Sequence, residues 1–438
     1  MEGNQSSNRH SKTMLMMKMG VALFPIVFLV AMEIVFRIAG WGIHASEDSQ
    51  NKWDNPHISF DADLRFFPEW TEELSTPKPE GLKRLFVIGG SSAAGYGVET
   101  DFSERLETQL KEKHTGVQWQ VVNGGVGAAG SHRVFEVLKR AAQFEPDLVI
   151  VYFGHNEFLE NIFFDPNGLL AKVEATGSVI RKIQVVNWLR DVLGADVKAP
   201  TLKGKKPKLK SRFLGSMNFP LIKDDAQYAN KLQFLESNVR QMVGFSREKG
   251  FPLVLIPAEP NLMHFPGSPA NPKNFEMIKK EWFALESDIE SAVSGQDWKK
   301  AREVIERVNE LDSTHARMLY FSGLAWYGLG EAQKAQADLR LAVLYDKHGD
   351  RSNADISNRI LSVADEMKVP TLDLTDLFNV ENKKEFERMQ ATGLFDMTIG
   401  PVGLELFTDH CHPSEMGHEK IADALYPFLV DEGLLPIQ

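Results

Sequence analysis

The chain has 438 residues, 43% of them hydrophobic and 25% charged, with a formal net charge of -11. These values exclude a collagenous, coiled-coil-only or wholly disordered chain, and the negative charge argues against a general nucleic-acid binder, which needs a basic footprint to displace counterions. The lone Cys411 rules out an intramolecular disulfide, and the length calls for a large core carrying insertions or a small second module.

Met19 to Trp41 is a largely apolar stretch of 23 residues, long enough to cross a bilayer as a helix. Arg9, Lys12 and Lys18 precede it. By the positive-inside rule residues 1–18 are then a cytoplasmic tail and 19–41 a signal anchor in an inner (plasma) membrane, with the rest on the periplasmic or extracytoplasmic side. Glu33 and Arg37 lie four apart on one helical face, where they can pair. A cleaved signal peptide is the alternative; the length of the run and the lack of a small-x-small site speak against it. Residues 42–80 read as a polar linker.

From residue 81 short apolar runs alternate with amphipathic patterns, which implies a parallel sheet flanked by helices. Strands are expected at Arg84–Ile88, Trp119–Val122, Leu148–Phe153, Leu253–Ile256 and Thr371–Leu374, each apolar enough to be covered on both faces. Helices are expected at Phe102–Lys113 after a cap at Thr100 or Asp101, at Ser131–Gln143 with Ser131 as cap, at Tyr228–Lys249 and at Ile356–Met367. A last helix starts near Pro413 and runs to about Val430.

Two segments interrupt this alternation and divide the core into residues 81–273 and 348–438. Residues 159–223 hold Lys203, Lys205, Lys206, Lys208, Lys210 and Arg212 among Pro and Gly. Such a run is usually a solvated loop, with an anionic surface or polysaccharide contact as the alternative. Its place after the third strand puts this insertion at the carboxyl end of the sheet, where inserts cover sites. Residues 274–347 repeat weakly at 34 residues, Ala301 with Ala335, Ile305 with Leu339 and Val308 with Ala342, the period of tetratricopeptide helices. Gly323, Trp326 and Gly330 fall where that repeat wants small or packing residues. Fewer than three repeats are marginal alone, so these helices are expected to pack on the core; an ordinary helical hairpin is the plainer reading.

Three motifs carry chemistry. Ser91 stands in Gly89-Gly90-Ser91-Ser92-Ala93-Ala94-Gly95, a turn of small residues after the first strand that can expose a hydroxyl. It has neither a phosphate-binding pattern nor the Gly-x-Ser-x-Gly elbow. Gly154-His155-Asn156-Glu157-Phe158 ends the third strand and offers the Asn156 amide as a neutral donor for an oxyanion, or as a turn cap. Asp409-His410-Cys411-His412-Pro413 spaces Asp409 three residues before His412, which lets a carboxylate orient an imidazole whose other nitrogen faces a serine. Asp409, His410, Cys411, His412 and His418 are also competent metal ligands, but no standard spacing completes a site, so no metal or cofactor is expected. Ser92 is the fallback nucleophile. His410 and His418 read as loop and helix residues; Glu259 and Asn261, after the Leu253–Ile256 strand, point toward the site region and read as satisfied loop residues, with substrate contact as the alternative.

Together these motifs resemble the SGNH/GDSL hydrolase family, over most of the chain outside the insertions. The form Gly-His-Asn-Glu-Phe is similar to that of a bacterial subgroup carrying a membrane anchor and tetratricopeptide-like helices. The resemblance implies a three-layer α/β/α flavodoxin-like core with a parallel sheet, an α-helical tetratricopeptide-like insertion and an N-terminal transmembrane helix. It makes Ser91 nucleophile and backbone oxyanion donor, His412 base, Asp409 its orienting acid and Asn156 a side-chain oxyanion donor. A further backbone donor falls on Ala128, or on Gly127 by a one-residue shift. Three positions depart from the family pattern: Gly90 stands for an Asp, Ala128 for a Gly, and Glu157 for an Asp. The implied activity is hydrolysis of a small-molecule, glycan or lipid ester. O-acyl transfer onto an envelope glycan, or a scaffold recruiting a protein partner through the helices, are the alternatives.

Overall fold

A computed structural model describes residues 74–158, 225–267, 271–347, 349, 351–393, 395 and 405–435. They all fall in one compact unit spanning 66–164 and 202–438. The anchor predicted at 19–41, the insertion at 159–223 and most of the linker lie outside the described residues. Among those described, no helix is long and apolar enough to cross a membrane.

Four strands form the sheet: β1 Leu82–Gly89, β2 Gln118–Gly125, β3 Leu148–Phe153 and β4 Leu253–Pro257. Their order is β2-β1-β3-β4 and every pairing is parallel. All six residues of β3 are buried, as expected of a central strand with helices on both faces. The fifth predicted strand is a correction. Only Thr371 pairs, in a single parallel bridge to Leu255, because a helix begins at Thr375.

Helix α1, Phe102–Lys113, starts at the expected Asp101 in a capping box with Glu104. Phe102, Leu106 and Leu110 recur at helical spacing and pack on Leu85, Val87, Ile150 and Tyr152 with Ile421, Leu425 and Leu429 of the last helix. The period of two sends Phe86, Ile88, Val149 and Val151 to the opposite face, where they too are buried. On that side lie α2 Ser131–Ala141, α3 Asp225–Lys249 and, further along the chain, Ala354–Met367, with α3 between its neighbours.

After β4 come α4 Phe275–Ser294, α5 Trp298–Asp312, α6 Ala316–Gly328 and α7 Ala332–Tyr345, each packed on the next. All six positions of the 34-residue repeat, Ala301, Ile305, Val308, Ala335, Leu339 and Ala342, are buried in one core. Then follow α8 Ala354–Met367, α9 Thr375–Thr392, which the sequence reading did not expect, and α10 Glu415–Asp431. The α9 residues Phe386 and Met389 join the core of α4–α7, while Phe378 joins that of the sheet.

Candidate active site

The turn after β1 is built on close approach. A Cβ on Gly89 would lie 1.9 Å from the Tyr152 carbonyl oxygen, and one on Gly125 2.2 Å from the Ala94 nitrogen, so both strand ends pack bare under the Ser91 turn. A Cβ on Gly90 would come within 2.6 Å of Asn156 Nδ2. The absence of a side chain at Gly90 therefore makes room for the Asn156 amide directly before Ser91.

The loop bearing the acid and the base closes as a small hairpin. Phe407 bridges Pro413, and the Thr408 N–H donates to the His412 carbonyl at 2.8 Å. Inside it, Asp409 Oδ1 accepts from the Cys411 and His412 N–H groups at 2.9 and 2.8 Å, an Asx-type turn. Oδ2 faces His412 Nδ1 at 2.6 Å, and His412 Nε2 faces Ser91 Oγ at 2.7 Å. Burial works to raise the Asp409 pKa, but the hydrogen bond and charge of His412, the charge of His410 and the Cys411 N–H outweigh it. The carboxyl is held well below its usual range. Ser91 stays partly exposed while Asp409 and His412 are buried.

Asn156 is buried and donates from Nδ2 to the Ala129 carbonyl at 3.1 Å, which orients the amide and leaves its second N–H. Ala128 sits at φ +55°, the left-handed turn that glycine adopts without strain, and the Arg133 guanidinium donates to its carbonyl. Among the described residues neither the Gly127 nor the Ala128 N–H donates a backbone hydrogen bond.

Glu157 reaches across to the start of α2. It is buried and accepts from the Ser131 N–H at 2.8 Å and hydroxyl at 2.7 Å. This corrects the reading of Ser131 as a cap: Gly130 is the N-cap residue, without a side-chain bond, and the distant carboxylate meets the first turn of α2 instead.

Ser92, the fallback nucleophile, donates to the Cys411 carbonyl at 3.0 Å and ties the two turns together. His418 accepts from the Phe102 N–H at 3.2 Å and stacks on that ring. Glu259 receives Arg340 at 2.9 Å and Thr375 at 3.1 Å. Asp409, His410 and Cys411 lie close enough together to be considered as metal ligands, yet both Asp409 oxygens are already acceptors within the loop. The sequence reading missed Tyr96, whose ring stacks on His412 at 6.0 Å and whose hydroxyl would meet a Gly127 Cβ at 3.1 Å. Its place five residues after Ser91 in a glycine-rich turn was the only signal.

A serine, an imidazole and a carboxylate in series at the carboxyl end of a parallel sheet is the geometry by which serine hydrolases activate a hydroxyl. Residues 85–183 match the family described as GDSL-like Lipase/Acylhydrolase, and the chain is an ester-hydrolysing serine hydrolase. No curated protein sequence matches it. Among solved structures it is similar to an acetyl xylan esterase at 11% identity and a TM-score of 0.34, covering 78% of this chain and 98% of that one. A lipase/acylhydrolase from Enterococcus faecalis is 12% identical at a TM-score of 0.32, over 81% of this chain and 99% of that one. A mutant acetyl-xylooligosaccharide esterase from Geobacillus Stearmophilus is 13% identical at 0.34, over 81% and 96%. Likenesses so distant carry no argument about substrate.

Proposed function

We propose that the chain is a serine esterase cleaving an acyl or acetyl ester of a carbohydrate, lipid or envelope component, with Ser91 as nucleophile. His412 Nε2 takes the Ser91 proton as Oγ attacks the ester carbonyl, and returns it to the leaving alcohol. Water activated by His412 then hydrolyses the acyl-enzyme. Asp409 holds the imidazole in register and stabilises the charge it acquires. The developing oxyanion is met by the Ser91 N–H, the second Asn156 N–H and the N–H of Ala128 or Gly127. The observation that carries this reading is the unbroken relay from Asp409 Oδ2 through His412 to Ser91 Oγ, at 2.6 and 2.7 Å.

The apolar run at 19–41 and the basic residues before it support a signal anchor, with the hydrolase domain on the far side of the membrane. The burial of the 34-residue positions supports tetratricopeptide-like packing in α4–α7, and with it a helical surface able to take a protein partner. Acetylated sugars, short p-nitrophenyl esters and phospholipids, assayed with wild type and Ser91→Ala, test the central claim. Ser91→Ala should lower kcat by about 10⁴ to 10⁶-fold on whichever ester the wild type cleaves. Full activity in Ser91→Ala would sink the mechanism.

A further inference from the structure

The chain returns from α7 to the sheet layer through Asp346 to Asn353, just before α8, and this return meets both halves of the site. One arm is charged. Arg351 is buried, with Nη2 2.7 Å from Asp346 Oδ2 and Nη1 donating to the Asn261 carbonyl at 3.0 Å and the Phe265 carbonyl at 3.3 Å. Asn261 in turn donates from Nδ2 to the Asp409 carbonyl at 2.9 Å and from its N–H to the His410 carbonyl at 3.1 Å. Its Oδ1 is spent on the Met263 and His264 N–H groups. Asn261 therefore grips the acid loop by the backbone, and Arg351 grips Asn261.

The other arm is a backbone donor. The Ser352 N–H donates to His155 Nδ1 at 3.0 Å, and a Cβ on Gly154 would meet Ser352 Oγ at 3.1 Å, so the return lies against the turn that ends in Asn156. Because Nδ1 accepts, the ring proton of neutral His155 sits on Nε2. Burial, with His412 and His410 adding to it, pushes the His155 pKa down to about 3, which keeps Nδ1 an acceptor in neutral solution.

The same post-β4 segment is held by the helical layer. The Tyr320 hydroxyl of α6 donates to the Met263 carbonyl at 2.5 Å, and Arg340 of α7 pairs with Glu259 at 2.9 Å. A buried ion pair such as Asp346 with Arg351 contributes little net stability, since desolvation offsets its attraction, but it fixes one geometry.

We propose that Asp346, Arg351 and Ser352 of the return from α7 form a two-armed brace, in which Arg351 positions the Asp409–His412 loop through Asn261 and His155, held by Ser352, positions the Asn156 turn. Neither residue needs to touch the substrate. The helical insertion is thereby part of the scaffold that sets the distance between base and oxyanion donors. This rests on the reading of Ser91, His412, Asp409 and Asn156 given above.

The test is a double-mutant cycle in the full chain. One variant, Asp346→Asn with Arg351→Gln, removes the charged arm without leaving an unpaired buried charge. The other, His155→Leu, removes the acceptor for Ser352, while His155→Asn restores an acceptor near the Nδ1 position. Active enzyme is counted by fluorophosphonate labelling, so kcat is expressed per competent molecule and misfolding is separated from mispositioning. Each arm variant should lose about tenfold to a hundredfold in kcat with KM unchanged, the scale of a displacement near 1 Å. His155→Asn should recover most of it, and the combined variant should lose less than the product of the two, because both losses run through one segment. Independent multiplication of the losses, or kcat per labelled molecule equal to wild type, overturns the brace alone. Failure of the wild type to label at Ser91 sinks the triad reading, and the brace with it.

Discussion

At the rim of the sheet, Gly90 lies so close to the Asn156 amide that a Cβ would reach within 2.6 Å of its nitrogen; in the helical layer, a Cβ on Gly328 would lie 2.3 Å from the ring carbons of Trp298. Both glycines are required by a neighbour, but the neighbours differ in kind. The first is a single polar side chain held by one hydrogen bond to Ala129, and the second an indole wedged among Phe386 and Phe395. Crowding the rim should disturb a donor with little effect on folding, and crowding the helices should disturb folding with little effect on chemistry.

After the loss expected of Ser91→Ala, the largest expected effect also lies within the rim. Asp409→Asn removes a buried acceptor from His412 Nδ1 and favours the wrong tautomer, so kcat should fall by about 10³ to 10⁴-fold while circular dichroism stays native. A loss under tenfold would show that the Asp409–His412 contact does not orient the base. The crossed pair of glycine variants comes next. Gly90→Ala should cost about tenfold to a hundredfold in kcat, short of the 10² to 10³ of a deleted oxyanion donor, with Tm nearly unchanged. Gly328→Ala should keep kcat per active site and lose about 1–3 kcal/mol of stability by overpacking against Trp298. If both variants lost stability and neither lost kcat, the contrast between the regions would fail.

The smallest effect is one of pH. With its pKa pushed down to about 3, His155 binds its proton more weakly when folded than in the unfolded chain, where the value is near about 6.5. Between those values the unfolded state carries more protons, so stability is full above about pH 6.5 and drains as pH falls toward 3. Asp409, depressed in the folded state, contributes above its unfolded value of about 3.9 and loses that contribution only as pH falls below it. Depressed glutamates such as Glu385 and Glu415 also begin to lose their contribution at about pH 4.5. Melting at about pH 7 and about pH 4.5 therefore isolates the histidine only by comparison with a His155 variant. The drop in Tm between them should be larger in wild type than in His155→Asn, and equal drops would show that His155 titrates normally.

Much of the sheet layer was legible in the sequence, since Leu148–Phe153 and Phe102–Lys113 carry unbroken apolar or 3.6-residue patterns and fold with those bounds. The fifth strand was misread because its apolar run contains Asp373, whose carboxylate accepts from the Thr375 N–H at 2.9 Å and begins a helix instead. Helix α9 escaped notice because its buried face, Phe378, Asn382, Glu385, Phe386 and Met389, carries two polar residues, so the apolar positions alone make no continuous stripe. Ser91, Asn156, Asp409 and His412 could be singled out because each motif is local. What Glu157, Asn261 and Arg351 do could not be read, because Ser131, Asp409 and Asn261 stand 26, 148 and 90 positions away, and no local pattern encodes such a pairing.

The contact between His412 and Ser91 spans 321 positions of chain. Closing so long a loop is entropically costly and comes late in folding, after the local helices and hairpins have formed. During synthesis the nucleophile turn leaves the ribosome well before the loop that activates it. Until α10 docks beside α1, the contact of His412 with Ser91 is not made, so under the proposed mechanism a nascent or C-terminally clipped chain carries no activated nucleophile. Under the proposed mechanism catalytic competence requires the two ends of the fold to meet, and covalent labelling of Ser91 would report that meeting.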